Sequence, residues 1–216
     1  MIHSKYKFLF VCLAFSSLSF AQTNDEELLT WSAARKLTWK DYKASPDTQS
    51  DAAASTTTYL SIEYKISTNS FGYKIKSWFS KTRSWGRHKD DYILSHEQGH
   101  FDIAEIFARR LHKLMRAYRF DKRTYQQELK KIYQDVMDEK EKMQADYDEE
   151  TNHSINKEKQ AEWLKKIAKM LQENAAWSGE TPQTILSGCH ARFDAGQAFA
   201  LESRRGSRQS LKGLAT

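Results

Sequence analysis

The sequence of 216 residues predicts an α+β fold, a small antiparallel β-hairpin packed on one long helix that further helices follow. Three observations carry this. Two period-two runs flank a short polar break, a strongly periodic helical segment comes next, and two more amphipathic segments follow. Only two prolines and eight glycines occur, a composition suited to long helices.

In the first run Leu60, Ile62, Tyr64 and Ile66 face one way, and Ser61, Glu63 and Lys65 face the other. "STNS" has turn composition. In the second run Phe71, Tyr73 and Ile75 alternate with Lys74 and Lys76, completing a hairpin. Residues 22–51, ahead of it, look irregular, with "LTWKDY" as a local aromatic cluster. The first helix is expected over residues 90–118, where Ile93, Ile103, Phe107, Leu111, Leu114 and Tyr118 repeat at helical spacing. His96 and His100 fill the interval between Ile93 and Ile103, so both fall on the stripe expected to be buried. A second helix is expected over 122–144, through Tyr125, Leu129, Ile132 and Val136. A third is expected over 157–171, through Gln160, Trp163, Ile167 and Leu171. Between these two, "ADYDEETNHSIN" reads as a polar break.

The first 21 residues have the pattern of a secretory signal peptide: Lys5 and Lys7, an apolar run from Phe8 to Phe20, and small residues at Ser19 and Ala21. The cut is expected after Ala21. That places the protein in the periplasm or outside the cell, with no stable membrane anchor after leader cleavage. Residues 22–172 would form the domain. Residues 173–216 gather five of the eight glycines, lose helical periodicity and are expected to be a poorly ordered tail. The mature chain would keep one cysteine, Cys189, and so no internal disulfide; its core or a metal must stabilise it. The net charge of +6 is spread among mixed signs without a basic strip, so nucleic acid is not an expected partner. Oligomeric state leaves no trace in the sequence.

The chemistry concentrates in "SHEQGH". Histidines at i and i+4 lie one above the other on a helix and can share one Zn²⁺. Glu97 is turned by about 100° from His96, beside the metal position, where it can act as general base on a water that zinc makes acidic near neutral pH. This is the H-E-x-x-H arrangement of zinc metallopeptidases, and a hairpin ahead of the helix suits a zincin-like fold. The plainer alternative is a pair of hydrogen-bonded core histidines. The metzincin extension fails, since Ile103 and Ile106 stand where it needs glycine and histidine. A third ligand must come from elsewhere. His112, Glu128, Asp148, Glu149, Glu150 and His153 are the candidates; His112 lies too far along the helix, and Glu128 sits off its own helix's apolar face.

"HEQGHFDIAEIFAR", "YDEETNHSINKEKQAEW" and "KLTWKDYKASPD" together resemble a bacterial family of secreted Zn-dependent proteases, long catalogued as a domain of unknown function. The likeness runs over about residues 31–171. It implies an exported zincin-like peptidase acting on a peptide or protein, with zinc held by His96 and His100 and Glu97 as base. It also singles out Tyr147, Asp148, Thr151 and His153. Among these, His153 is our expected third ligand. Tyr147 would either stabilise an oxyanion or simply pack. Asp102 and Glu105 would either orient a ligand histidine or pair with Arg109. The expected reaction is peptide-bond hydrolysis. A zinc hydrolase of a non-protein amide in the cell envelope and a non-catalytic, metal-stapled envelope protein are the competing readings.

Overall fold

The computed structural model describes residues 27–67 and 70–179, together with short strands at 183–186 and 200–202. The leader-like segment and Cys189 lie outside the described residues. The fold is α+β, small antiparallel sheets with three helices. In chain order the elements are β1 (Leu28–Thr30), β2 (Ala54–Ser55), β3 (Thr58–Ile66), β4 (Ser70–Ser80) and β5 (Trp85–Gly86). Then come α1 (Asp91–Ala117), α2 (Tyr125–Thr151), α3 (Lys157–Glu173), β6 (Gln183–Leu186) and β7 (Ala200–Glu202).

The hairpin forms as expected, with Ile62 opposite Ile75 and Tyr64 opposite Tyr73. It is longer than the alternation suggested. β4 continues through Ser77, Trp78 and Phe79 to Ser80, where it also pairs with β1. The main sheet runs β1-β4-β3-β7, with β6 also on β4, while β2 and β5 pair separately. Two stretches of the segment expected to be a poorly ordered tail are therefore strands of this sheet. Three or four residues are too short for periodicity to register.

Leu60, Ile62, Tyr64, Tyr73 and Ile75 turn one sheet face toward the helices. There they join Ile103, Ile106, Phe107, Leu111 and Met115 of α1, Leu129, Tyr133 and Val136 of α2, and Trp163 and Ile167 of α3 in one buried cluster. α1 is the spine, touching β3, β4, α2 and α3. Asp90 caps it by accepting from the Ile93 amide at 2.8 Å. Leu114, expected on the buried stripe, is exposed, and Met115 occupies the core in its place.

α2 departs furthest from expectation. It runs seven residues past 144 to Thr151, so most of the supposed polar break is helical, and only residues 152–156 separate it from α3. Gln144, Tyr147, Asp148 and Thr151 recur at helical spacing and are all buried. Three of the four are polar, which hides the face from a hydrophobicity pattern.

The irregular N-terminal segment is fastened to α1 by polar contacts. Leu37 N donates to Gln98 Oε1 at 2.7 Å, and Trp31 Nε1 donates to Asp102 Oδ1 at 2.7 Å. Glu105 pairs with Arg109 at 2.8 Å and accepts from Ser77 Oγ at 2.7 Å, joining α1 to the sheet. Burial raises the Glu105 carboxyl pKa, against the lowering by Ser77 and Arg109. Removing one member of a buried ion pair leaves the other charge stranded. Glu105→Ala should therefore destabilise the fold by about 3 kcal/mol in a urea titration, a result checked against Asp135→Ala, which removes only the exposed ion pair with Lys131 and is expected within about 0.5 kcal/mol of wild type.

Candidate metal centre

α1 presents His96 and His100 one turn apart, with their Nε2 atoms at 3.2 Å. Asp148 Oδ1, carried by α2, stands 3.1 Å from His96 Nε2 and 3.0 Å from His100 Nε2. The three atoms make a nearly equilateral triangle. A tetrahedral zinc with bonds of about 2.0–2.1 Å spaces its ligand atoms about 3.3 Å apart, so the triangle fits one ion with small adjustment. These buried residues could hold a metal ion.

The outward nitrogens face glutamine amides. Gln144 Nε2 donates to the His100 carbonyl at 2.9 Å, which aims Gln144 Oε1 at His100 Nδ1, 2.5 Å away. Gln160 Oε1 lies 2.8 Å from His96 Nδ1. An amide oxygen only accepts, so with the amides in this orientation each Nδ1 carries the proton and each Nε2 keeps its lone pair for the interior. Two lone pairs and a carboxylate oxygen then converge with no donor among them. Such a cluster requires a cation or an added proton.

Without metal, the proton goes to His100. Burial opposes a charged imidazole there, but Asp148, with help from Glu97 and Gln144, raises the pKa to about 9. Burial likewise opposes ionisation of Asp148, yet His100 and hydrogen bonds from His100, His153 and His96 hold it well below the usual carboxylate range.

Tyr147 forms the floor of the site. Its ring stacks on His96 at 4.5 Å and meets His100 edge-on at 5.1 Å. Its hydroxyl donates toward the His96 carbonyl and Gln160 Oε1, both at 3.3 Å. A Cβ at Gly99 would fall 2.5 Å from that hydroxyl, so glycine is what lets the ring lie against α1. Burial raises the phenol's pKa far above its ordinary value, so it stays protonated. Glu97 is also buried, and its Oε2 has no hydrogen-bond partner among the described residues. Its charge is felt at His100, Tyr147 and Tyr42. An unpartnered buried carboxylate oxygen is costly and calls for a reason.

The sequence candidates distribute as follows. His96, His100 and Asp148 converge. The third position in that group belongs to Asp148 and not to His153, because α2 extends far enough to put Asp148 on its buried face. His153 stands just outside, its Nδ1 3.8 Å from Asp148 Oδ1. His112 is buried against Tyr73 farther along α1, Glu128 accepts from Tyr118, and Glu150 accepts from Trp163. None of these, nor the exposed Glu149, joins the group. Asp102 and Glu105 fasten α1 to its surroundings. The orienting acceptors are Gln144 and Gln160, which sequence reasoning missed. Gln160 left one signal, a polar residue on an otherwise apolar helix stripe.

The fold and site thus define an α+β protein with a buried His-His-Asp site able to hold a metal ion. A family model described as "Bacterial protein of unknown function (DUF922)" matches residues 21–154, and the chain belongs to that family. The matched range contains the whole triangle. No curated protein and no solved structure matches the chain.

Two outcomes follow from the site. His100 has a raised folded pKa, so its contribution is full below about 6.5 and is lost as pH rises toward about 9. The chelator-treated protein should lose thermal stability across that window, and the metal-loaded protein should not, since the ion takes the proton's place. Gln160→Ala should weaken metal affinity by about 10–100-fold in a competition titration, with the ion count at saturation unchanged.

Proposed function

We propose that this protein is an exported zinc-dependent metallopeptidase. The observation that carries the reading is Glu97: a buried carboxylate oxygen without a partner among the described residues, its charge felt at His100 in a triangle of two imidazole nitrogens and a carboxylate oxygen. A borderline-soft ion such as zinc suits two nitrogens and one oxygen, and three protein ligands leave a fourth position for substrate chemistry. Bound there, the metal supplies the Lewis acidity that makes a water acidic near neutral pH and polarises a carbonyl.

The chain's own residues do the rest. Gln144 and Gln160 hold the two imidazoles with Nε2 inward. Tyr147 fixes the ring planes from below. Glu97 takes the proton of the attacking water on its free oxygen and hands it to the departing amine nitrogen. Because that oxygen accepts no hydrogen bond among the described residues, it is available for this exchange. Export is supported by the leader-like first 21 residues. Among the described residues no helix is long and apolar enough to cross a membrane.

A metal that only staples α1 to α2 would use the same triangle, but it would leave Glu97 without a purpose. The experiment is a Glu97→Gln protein expressed from Gln22 onward, tested on a mixed peptide library and on peptidoglycan. It should retain one equivalent of zinc and lose about 10²–10⁴-fold in turnover. Equal turnover by the variant would overturn the mechanism. Turnover of peptidoglycan alone would move the substrate to a non-protein amide, and zinc binding without any turnover would favour the staple.

A further inference from the structure

Beside the triangle the backbone takes an expensive path. Asn152, His153 and Ser154 follow α2 with φ of 47°, 51° and 73°, three successive side-chain-bearing residues in the left-handed region. One such residue, an asparagine, is enough to end a helix. Three in a row persist only where the surroundings over-determine them, as tends to happen at functional sites.

The surroundings here do so from both helices of the site. His153 N returns to the Asp148 carbonyl at 2.9 Å, and Asn156 N returns to the Thr151 carbonyl at 2.8 Å. The fully buried Thr151 donates its hydroxyl to the Tyr147 carbonyl at 2.7 Å and accepts from Ser154 N at 3.4 Å. From α1, one turn before His96, Tyr92 donates its hydroxyl to the Ser154 carbonyl at 2.6 Å. The turn is locked to α1 and α2 at the level of the triangle.

What the turn produces is the placement of one side chain. His153 is 31% exposed while Asp148 beside it is 8% exposed, so the imidazole borders the site on its solvent side. Its Nδ1 stands 3.8 Å from Asp148 Oδ1, and it lies outside the converging group. Tyr147 cannot serve a substrate in its stead, being fully buried with its hydroxyl aimed at protein acceptors.

We propose that His153 is a substrate-contacting residue, an imidazole N–H donor to the amide carbonyl oxygen as that oxygen gains charge, and that Tyr92 is the positioning residue that holds it there. This rests on the hydrolase reading above. The donor acts by a hydrogen bond alone; it forms and breaks no covalent bond.

The test uses zinc-loaded protein carrying His153→Ala, His153→Gln, His153→Gly or Tyr92→Phe. Turnover, zinc affinity, the visible spectrum of the cobalt-substituted form and binding of a peptide phosphinate, a mimic of the charged tetrahedral oxygen, are measured for each. His153→Ala should keep the zinc affinity and cobalt spectrum of wild type. Its kcat should fall about 10²–10³-fold with KM little changed, and it should bind the phosphinate at least tenfold more weakly. His153→Gln should recover part of both, since its amide can donate. His153→Gly relaxes a left-handed residue, so it should melt a few degrees higher while losing the same activity. Tyr92→Phe should lower kcat about tenfold with zinc retained. A changed cobalt spectrum or lost zinc in His153→Ala would make His153 a ligand and overturn the proposal. So would His153→Ala turnover and phosphinate binding equal to wild type. If wild-type protein neither turns over a substrate nor binds the phosphinate, the hydrolase reading itself fails and takes this one with it.

Discussion

His96 Nε2, His100 Nε2 and Asp148 Oδ1 are held 3.0–3.2 Å apart, and the surrounding structure is built so that they cannot separate. Two of them are fixed to the same helix. The third comes from α2, whose position is set by its packing on α1 and α3. The glutamine amides prevent either imidazole from turning its protonated nitrogen inward. Tyr147 closes the space into which the rings could retreat. The frame holds the ligand atoms close to the spacing a metal would impose, so binding would involve little rearrangement, with the ion in the place of the His100 proton.

That frame explains why α1 carries so much of the fold. Its apolar side chains fill the core between sheet and helices, and the same stripe, continued toward the N-terminus, carries the histidines. Its other flank meets the N-terminal segment through Gln98 and Asp102 and the sheet through Glu105. Asp102 and Glu105 of α1 serve attachment, while neutral amides from α2 and α3 orient the ligands. This division suits the electrostatics. With Asp148 and Glu97 already beside the site, further carboxylates behind the histidines would add negative charge to a dry interior.

Elements held together by apolar burial were legible in the sequence. The hairpin register follows from alternation, and α1 begins and ends within a residue of the periodic stretch. Elements whose buried faces are polar were not. β4 buries Ser77 and Ser80, so its second half reads as a loop. α2 buries Gln144, Asp148 and Thr151, so its last two turns read as a break. Read as a loop, those turns put no residue on a face with the histidines, and among the residues the resemblance singles out His153 is then the natural third ligand. His96, Glu97 and His100 were recoverable because a motif links three residues on one helix. The remainder of the site is assembled across helices, where only tertiary structure brings its members together.

Gly99 bears on how the motif itself should be read. In H-E-x-x-H the two middle positions are nominally free, but here the second must lack a side chain because the Tyr147 ring occupies that volume. The pattern that matters is a pair of local motifs coupled across 48 positions, glycine before the second histidine and an aromatic ring immediately before the aspartate. Either half could drift only if the other moved with it. A chain with a bulky residue at the glycine position and tyrosine retained could share the five-letter signature and still be unable to bring its aspartate up to the histidines.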